Sequence, residues 1–540
     1  MPRWRRAKSC GTPAPGRSGR AGRTRRAQTC AALLFVVMLG VITACSAGPS
    51  TRPVIAVRGE NGNVASSAPP PSGRQPVPPL ENYRNTGLAW SSCTDATKLR
   101  MGDTAPAGDQ KYECARLPVI LDSPSRPGRG NLGLALLRVG TGGTPLVVVN
   151  DPDGEPGTLR AARLAASLPA EFLSTFTLIG LDRRGTGKSD GVQCVPDAAR
   201  TAILESDPGG AKQDDLLEAV GAASQECVLD LENRLTALDS WRTAADLERL
   251  RDTLGVSRLN AIGIGDGSRV LTVYASRYPD RIGRMVFDGV PDPTLDAIAA
   301  AESRAAAAEQ AFDAFASDCA IQNCPLGKDP KQELTVLITR LRTTPVRGPD
   351  LNLTPGTALR AVLLGLSDRQ RWPALTSALV KAKAGDASGL TSLIAPLVTQ
   401  RGDNPPLLDG GLVTTCNDQM MRIPPERVAG LAEDWKGKHP FFGAMFARNL
   451  LLCGPWPVPQ QTKVGPVKSA PPVLVLSTAA DPVTPQPGTE RAAQQLPAGV
   501  VVGWQGAGHG ALPQSSCATA AAQKFLIQGE TPSGGTVCPP

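Results

Sequence analysis

Short apolar runs alternate with amphipathic helical stretches over much of this chain. Near-continuous apolar runs of strand length are typical of strands that are buried on both faces. The predicted strands are 117–121, 132–139, 146–150, 176–181, 258–263, 284–288, 473–476 and 500–503. The predicted helices include 216–235, 241–254, 268–278, 488–496 and 517–528. This alternation predicts an α/β protein with a mostly parallel sheet and helices on both of its faces.

Residues 293–468 interrupt the alternation. They are rich in Ala and Leu and have a mostly helical pattern, for example at 294–315 and 330–343. We therefore predict a large helical insertion that caps the carboxyl edge of the sheet. The predicted organisation is a core at 90–292, the cap at 293–468 and the remainder of the core at 469–540.

The amino-terminal segment has the pattern of a targeting signal. A basic region precedes the apolar stretch 31–41, which is too short for a convincing transmembrane helix. The stretch ends in Ile42-Thr43-Ala44-Cys45, which resembles a bacterial lipobox. This predicts a lipoprotein signal peptide at 1–44 and a lipid on Cys45 that anchors the chain to the outer face of the cell membrane; an ordinary signal peptide is the alternative. Residues 45–89, rich in Pro, Ser and Gly, are predicted to form a tether.

The charge of the chain changes once this segment is set aside. The formal net charge is +8, from 57 Lys and Arg against 49 Asp and Glu. Residues 1–44 hold nine of the basic residues and no acidic one, so 48 basic and 49 acidic residues remain. A near-neutral domain lacks the electrostatic attraction that nucleic-acid binding needs, so we expect no nucleic-acid partner.

The cysteines also point to export. Thirteen are present, and ten remain when Cys10, Cys30 and Cys45 are set aside. An even set in an exported chain indicates disulfides. Spacing alone does not fix their connectivity; we expect successive neighbours to pair, as Cys93–Cys114, Cys194–Cys227, Cys319–Cys324, Cys416–Cys453 and Cys517–Cys538. A zinc site is disfavoured because the chain has only two histidines and no CxxC pattern, and we expect neither a metal nor a cofactor.

The segment 259–268 combines an apolar strand, a glycine-rich turn and the start of a helix. This is the context in which G-x-S-x-G presents a nucleophilic serine, but here Gly265 holds the central position. Further along, Asp481 follows the strand 473–476, and His509 follows the strand 500–503. A carboxylate after one strand and an imidazole after the next fit the orienting acid and the base of a catalytic triad.

Several motifs together resemble those of a known family. They are Asp182-Arg183-Arg184-Gly185-Thr186-Gly187-Lys188-Ser189, Asp288-Gly289-Val290-Pro291-Asp292-Pro293, Asp481-Pro482-Val483-Thr484-Pro485 and Gly506-Ala507-Gly508-His509-Gly510. From about Trp90 to Cys538, the chain resembles the exported actinobacterial tripeptidyl aminopeptidases, α/β-hydrolases related to prolyl iminopeptidases. The resemblance implies the α/β-hydrolase fold with a helical cap, serine peptidase activity, and Asp481 and His509 as orienter and base.

The chain departs from that family at two places. Gly265 stands where the family has its serine, and Ser268, three residues later, is a poor substitute. The oxyanion loop is Asn150-Asp151-Pro152-Asp153-Gly154-Glu155, with carboxylates in place of the family's glycines. Negative side chains there oppose a developing oxyanion. Asp266 is a conceivable carboxylate nucleophile.

These observations predict an exported, monomeric lipoprotein that is catalytically degenerate and binds a peptide or a small envelope ligand under its cap. The acidic loop would attract the α-amine of a peptide. The alternative is an active hydrolase that uses water, Asp266 or another serine, with His509 as the base. Dinucleotide binding at the glycine-rich turn is disfavoured, because the turn lies in the middle of the predicted sheet and not after its first strand.

Overall fold

The structure is a computed structural model that describes residues 75–540, except 85–86, 103–108, 212, 401, 403 and 458–463. The predicted signal peptide, the lipidation site Cys45 and most of the predicted tether lie outside the described residues. The last part of that tether packs on the core, where Tyr83 donates its amide N–H to the carbonyl of Gly143. None of the described helices combines the length and the apolar character needed to cross a membrane.

Ten strands within the described residues form one sheet in the order β1-β2-β3-β5-β4-β6-β7-β8-β9-β10. The strands are β1 Ser91–Ser92, β2 Glu113–Ile120, β3 Asn131–Val139, β4 Thr144–Val149, β5 Phe176–Leu181, β6 Leu259–Ile264, β7 Ile282–Asp288, β8 Val473–Ala480, β9 Gly499–Ala507 and β10 Thr536–Cys538. β3 pairs antiparallel with β2 and β5, whereas every pair from β5 to β10 is parallel. The predicted α/β fold with a mostly parallel sheet is confirmed.

Helices flank the sheet in the first part of the core and return after β8. They are α1 Thr94–Met101, α2 Gly157–Ser167, α3 Ala170–Thr175, α4 Asp197–Glu205, α5 Asp214–Leu231, α6 Ser240–Thr253, α7 Asp266–Arg277, α16 Gln486–Gln494 and α17 Ser516–Gln523. Alternate residues of β4 enter two different apolar clusters, Val147 and Val149 on one face and Leu146 and Val148 on the other. This alternation follows from the two-residue period of a strand, and it explains why β4 is buried throughout and apolar from Pro145 to Val149.

Helices also fill the chain between β7 and β8. They are α8 Ala297–Ile321, α9 Pro330–Thr343, α10 Pro355–Leu366, α11 Trp372–Lys383, α12 Ser388–Val398, α13 Leu407–Asp418, α14 Pro425–Lys438 and α15 Gly443–Asn449. We call this segment the helical insertion. A buried ion pair ties it to the core, where Arg200 Nε of α4 lies 2.8 Å from Asp409 Oδ1 of α13.

Five disulfides are present in the described part of the chain. They join Cys93 to Cys114, Cys194 to Cys227, Cys319 to Cys324, Cys416 to Cys453 and Cys517 to Cys538. These are the successive pairs expected from the sequence. The last of them holds the carboxyl-terminal strand β10 to α17, beside β9, the strand that leads to His509.

Candidate functional site

The turn between β6 and α7 has the geometry that a nucleophile elbow requires. Gly265 lies between the two elements with φ 55° and ψ −121°, in a region that residues with side chains rarely adopt. A Cβ built at Gly263 would lie 2.7 Å from the backbone of Ser268, and one at Gly267 would lie 2.1 Å from the carbonyl oxygen of Val149. Both flanking glycines are therefore required by close backbone contacts, as in G-x-S-x-G turns.

Asp481 and His509 meet at the carboxyl edge of the sheet. Asp481 directly follows β8, and its Oδ1 accepts the amide N–H groups of Val483 and Thr484, both at 2.8 Å. His509 Nδ1 lies 3.1 Å from the same carboxylate oxygen. Burial by itself would raise the pKa of Asp481, but the charge and hydrogen bonds of its neighbours hold it below its usual value. The carboxylate therefore orients the ring through Nδ1.

The loop after His509 is fixed from two sides. Asp288, the last residue of β7, accepts the amide N–H groups of Ala511 at 2.7 Å and Leu512 at 2.8 Å. Burial raises the pKa of Asp288 to about 6, although these hydrogen bonds favour its ionised form. The amide N–H of His509 itself donates to the carbonyl of Ser367, just beyond α10, at 2.8 Å.

The second ring nitrogen of His509 contacts a carboxylate where a triad would have its serine. Asp151 Oδ2 lies 2.9 Å from His509 Nε2. Asp151 Oδ1 accepts the amide N–H of Asp266 at 2.7 Å, the donor that follows the nucleophile position and serves an oxyanion in this fold. A Cβ built at Gly265 would lie 2.4 Å from that oxygen. Asp151 thus occupies both the nucleophile position and the oxyanion position.

His509 is consequently held between two carboxylates. Burial opposes the charged ring, but the charges and hydrogen bonds of Asp481 and Asp151 outweigh it and raise the pKa of His509 well above its ordinary value. The two carboxylates therefore favour the imidazolium form of the ring, which has no lone pair to accept a proton. Asp481, His509 and Asp151 thus form a row of anion, cation and anion. A resting catalytic triad instead contains a neutral histidine base.

Asp153 is exposed beside this row, and Arg269 and His509 are each partly exposed. Burial and the neighbouring charge of Asp151 raise the pKa of Asp153, and Arg304 of α8 opposes the rise. A Cβ built at Gly411 of α13 would lie 2.6 Å from the Cβ of Asp153, so the insertion packs directly on the acidic loop.

No group of His, Cys, Asp and Glu suited to a metal ion occurs in the part of the chain that the structure describes. A surface recess of about 380 Å³, lined by Arg116, Lys188 and Gln193 among others, does not include Asp153, Arg269 or His509. The groups that the site itself offers are the carboxylates, the His509 ring and the backbone amide at the elbow.

The sequence of the chain is similar to those of several known proteins. Residues 439–538, which include Asp481 and His509, match the family model described as TAP-like protein. The chain carries a TAP-like domain at residues 439–538 and has the α/β-hydrolase fold. The serine protease Hip1 of Mycobacterium tuberculosis (strain ATCC 25618 / H37Rv) is 29% identical over 460 residues, which cover 79% of this chain and 87% of that protein.

Two further similarities extend over most of the chain. The tripeptidyl aminopeptidase of Streptomyces coelicolor (strain ATCC BAA-471 / A3(2) / M145) is 26% identical over 494 residues, 84% of this chain and 86% of that protein. Among solved structures, a thermophilic esterase from Thermogutta terrifontis is 16% identical with a TM-score of 0.36, covering 77% of this chain and 99% of the esterase. The predicted similarity to tripeptidyl aminopeptidases is confirmed.

The sequence suggested the carboxylate of Asp266 as a nucleophile, but in the structure this carboxylate forms ion pairs with two arginines. Its oxygens lie 2.7 Å from Arg183 Nη1 and 2.5 Å from Arg269 Nε. Burial opposes ionisation, but the two guanidinium groups lower the pKa of Asp266 below its usual range. Its backbone amide N–H donates to Asp151, while its side chain belongs to an ion network that extends through Arg269 to Asp418. The hydroxyl of Ser268, the late serine, is sealed from solvent and has no hydrogen-bond partner.

The acidic loop 150–155 contains residues with separate roles. The Asn150 side-chain amide donates to the carbonyl of Glu155 at 2.6 Å and shapes the loop through Gly154. The Glu155 carboxylate pairs with Arg163 of α2 at 2.6 Å. The sequence indicated acidity in this loop but not the reach of Asp151 to His509. The feature that could have indicated this contact is the position of Asp151, two residues after the buried strand β4, at the edge of the sheet where the triad residues meet.

Proposed function

We propose that this protein is an exported, lipid-anchored α/β-hydrolase homologue that has lost serine acyl transfer and binds a peptide or small envelope ligand beneath its helical insertion. The observation that carries the proposal is the position of the Asp151 carboxylate, bonded to both His509 Nε2 and the elbow amide of Asp266. An anion of the protein itself thus fills the space where a serine and the oxyanion of its substrate would stand.

Each step of serine catalysis lacks a component here. Gly265 offers no hydroxyl, the elbow amide already has an acceptor, and the His509 imidazolium cannot remove a proton. Acyl transfer needs the nucleophile, a neutral base and a vacant oxyanion site together. Loss of all three supports a binding role over peptide hydrolysis.

An acidic residue beneath the insertion supports a peptide as the ligand. Asp153 is exposed and lies against Gly411 of α13, where its ionised carboxylate would offer an opposite charge to a peptide α-ammonium. The names of two relatives, a serine protease and a tripeptidyl aminopeptidase, describe proteins that act on peptides. The lipid anchor rests on the pattern Ile42-Thr43-Ala44-Cys45, and palmitate labelling of wild type beside Cys45→Ala tests it.

The decisive experiment compares the full chain with Gly265→Ser, Asp151→Gly and the double variant. Each is treated with a serine-directed fluorophosphonate and with tripeptidyl fluorogenic amides. We expect no labelling or turnover from the wild type and none from Gly265→Ser, because Asp151 still occupies the site. The double variant is expected to gain labelling, since the space and the amide are then free and His509 loses one of its two anions. Turnover by the wild type that His509→Ala abolishes would contradict the proposal.

A second candidate function, hydrolysis through a carboxylate nucleophile, is favoured by one observation. Asp151 Oδ2 faces His509 while Oδ1 rests on the elbow amide, as an attacking carboxylate would need. Oδ2 would displace a leaving group from an alkyl carbon and form an ester. With that charge gone, His509 would release its proton and activate the water that restores Asp151 and frees the alcohol.

This candidate makes a separate prediction. Incubation with 1-bromobutane would release bromide, and His509→Gln would retain a butyl ester on Asp151 that mass spectrometry of peptides detects. Asp151→Asn is the control and should give neither product. Absence of both bromide and adduct in the wild type and His509→Gln excludes the carboxylate nucleophile and leaves the binding function as proposed.

A further inference from the structure

The loop that carries His509, residues 508–514, is joined directly to the helical insertion. The amide N–H of His509 donates to the carbonyl of Ser367 at 2.8 Å, and Asp368 forms an antiparallel bridge with Gly508. Ser367 and Asp368 lie in the link between α10 and α11. The insertion therefore contacts the stretch of backbone that places the imidazole between its two carboxylates. We call this contact the loop junction.

One side chain crosses the loop junction. The Gln514 amide donates through Nε2 to the carbonyl of Gly510 at 3.2 Å, and its Oε1 accepts the amide N–H of Arg369 at 3.4 Å. A Cβ built at Gly508 would lie 2.7 Å from that oxygen, so the amide packs against the residue before His509. Gln514 thus binds the loop with one end of its amide and the insertion with the other.

These two hydrogen bonds require a side-chain amide. A glutamine has a donor end and an acceptor end, and only one of its two orientations satisfies both partners of Gln514. A carboxylate would lack the donor, and an ammonium would lack the acceptor. The contacts of Ser367 and Asp368 with the loop use backbone groups, whereas the contact of Gln514 depends on the identity of its side chain.

The charged side chains at the loop junction are paired with one another. Asp368 lies 3.2 Å from Arg371, and Arg369 lies 3.2 Å from Asp318 of α8. These pairs are partly exposed to water, and paired, hydrated charges exert little net field on a third group. The insertion therefore acts on His509 through the position of the backbone and not through charge.

Position matters because the ring bridges two separate parts of the core. Asp481 lies 3.1 Å from Nδ1 of His509, and Asp151 lies 2.9 Å from Nε2. Asp288, which binds the same loop, also interacts electrostatically with the ring. Coulomb attraction weakens with distance and with the entry of water, so displacement of the loop would weaken the contact with Asp151.

We infer that Gln514 is a positioning residue, which ties the His509 loop to the insertion and thereby keeps Nε2 of the ring at Asp151. The insertion then has a role besides covering the proposed ligand, because it sets the geometry of the charge row. This inference rests on the proposed function, which depends on the same contact between Asp151 and His509.

The test measures the pKa of His509 in the full chain from the nitrogen chemical shifts of the ring. Gln514→Met keeps the length of the side chain but loses both hydrogen bonds, and we expect it to lower this pKa toward its ordinary value. Gln495→Met, at an exposed glutamine, is the matched control and should leave the pKa unchanged. In Asp151→Asn, where the second anion is already gone, Gln514→Met should shift the pKa less than it does in the wild type.

A second variant removes the same contact from the insertion. Arg369→Pro deletes the amide N–H that Gln514 accepts. Arg369 begins a helical turn, where proline is tolerated, and Asp368 before it has the extended angles φ −137° and ψ 108° that a following proline requires. We expect Arg369→Pro to lower the pKa of His509. Arg369→Ala keeps the amide, so it is the control and should leave the pKa unchanged.

The outcomes separate this inference from the proposed function. If the pKa of His509 is raised in the wild type and stays raised in Gln514→Met and Arg369→Pro, Gln514 is not a positioning residue and the proposed function stands. A lower melting temperature with an unchanged pKa would also overturn the inference, because the role of Gln514 would then be structural only. If Gln514→Met does not fold, Arg369→Pro and its control decide. If the wild-type ring titrates near its ordinary value of about 6.5, the charge row itself is wrong and the proposed function loses its main support.

Discussion

Gly265 and Asp151 compete for the same space. A Cβ built at Gly265 would lie 2.4 Å and 2.7 Å from the two carboxylate oxygens of Asp151, and 2.8 Å from His509 Nε2. The glycine and the aspartate are therefore one structural unit. The protein keeps the strained turn of a hydrolase elbow, and a carboxylate from the facing loop fills the position of the missing side chain.

This relationship predicts a coupled pair of substitutions. Gly265→Ala should destabilise the protein by about 3 kcal/mol, because the new methyl group meets Asp151 and the backbone has a positive φ. Asp151→Gly in the same chain should recover part of that loss, and a double-mutant cycle by denaturant unfolding measures the coupling. Gly430→Ala, in an open position on α14, is the matched control and should be neutral or mildly stabilising. Additive effects of Gly265→Ala and Asp151→Gly would contradict the shared space.

The row of charges around His509 predicts a pH dependence. The folded pKa of His509 is raised above the unfolded value of about 6.5, so its contribution to stability is fully present below about pH 6.5 and is lost as the pH rises through the folded pKa. Nitrogen chemical shifts of the ring should report an imidazolium well above neutral pH. Asp151→Asn should lower this pKa and flatten the alkaline loss of stability. A ring that titrates near its ordinary pKa in the wild type would refute the row.

The ion network of Asp266 predicts a stability effect without a catalytic one. Asp266→Asn leaves Arg183 and Arg269 short of a carboxylate in a mostly buried setting, which should cost about 3–5 kcal/mol in unfolding free energy. Asp197→Asn removes an exposed carboxylate that pairs with Arg200, and it should change stability by less than about 1 kcal/mol. Equal effects of the two substitutions in denaturant unfolding would show that Asp266 is not a structural anion.

The insertion is predicted to depend on one buried ion pair for its attachment. Asp409→Asn removes the carboxylate that binds Arg200 and the amide N–H of Val195, and should cost about 3–5 kcal/mol. Hydrogen exchange should rise first in α13 and α4, because the pair joins these helices. Asp313→Asn, which breaks an exposed pair with Lys331, is the control and should leave exchange unchanged. Unaltered protection in α13 of Asp409→Asn would disprove the attachment.

Much of the core followed from local pattern. The strands 176–181 and 258–263 and the helix 330–343 match β5, β6 and α9 at or within one residue of each boundary, because apolar period and proline caps act over short ranges. The sequence also predicted the elbow at Gly265, the order of Asp481 and His509, and the pairs that the disulfides form. Strands β1 and β10 were not predicted, since each is too short to show a period and depends on pairing with a neighbour.

What the sequence determined by itself was the similarity of the chain to α/β-hydrolase peptidases, the absence of a serine at the elbow and the acidity of the facing loop. The tertiary structure alone decided how those carboxylates are used. Asp151 and Asp266 are equally ionisable in the sequence, but folding turns Asp151 toward His509 and Asp266 toward Arg183 and Arg269. Local pattern reports which face a residue lies on, whereas the contact of Asp151 with His509 joins residues 358 positions apart that meet at one edge of the sheet.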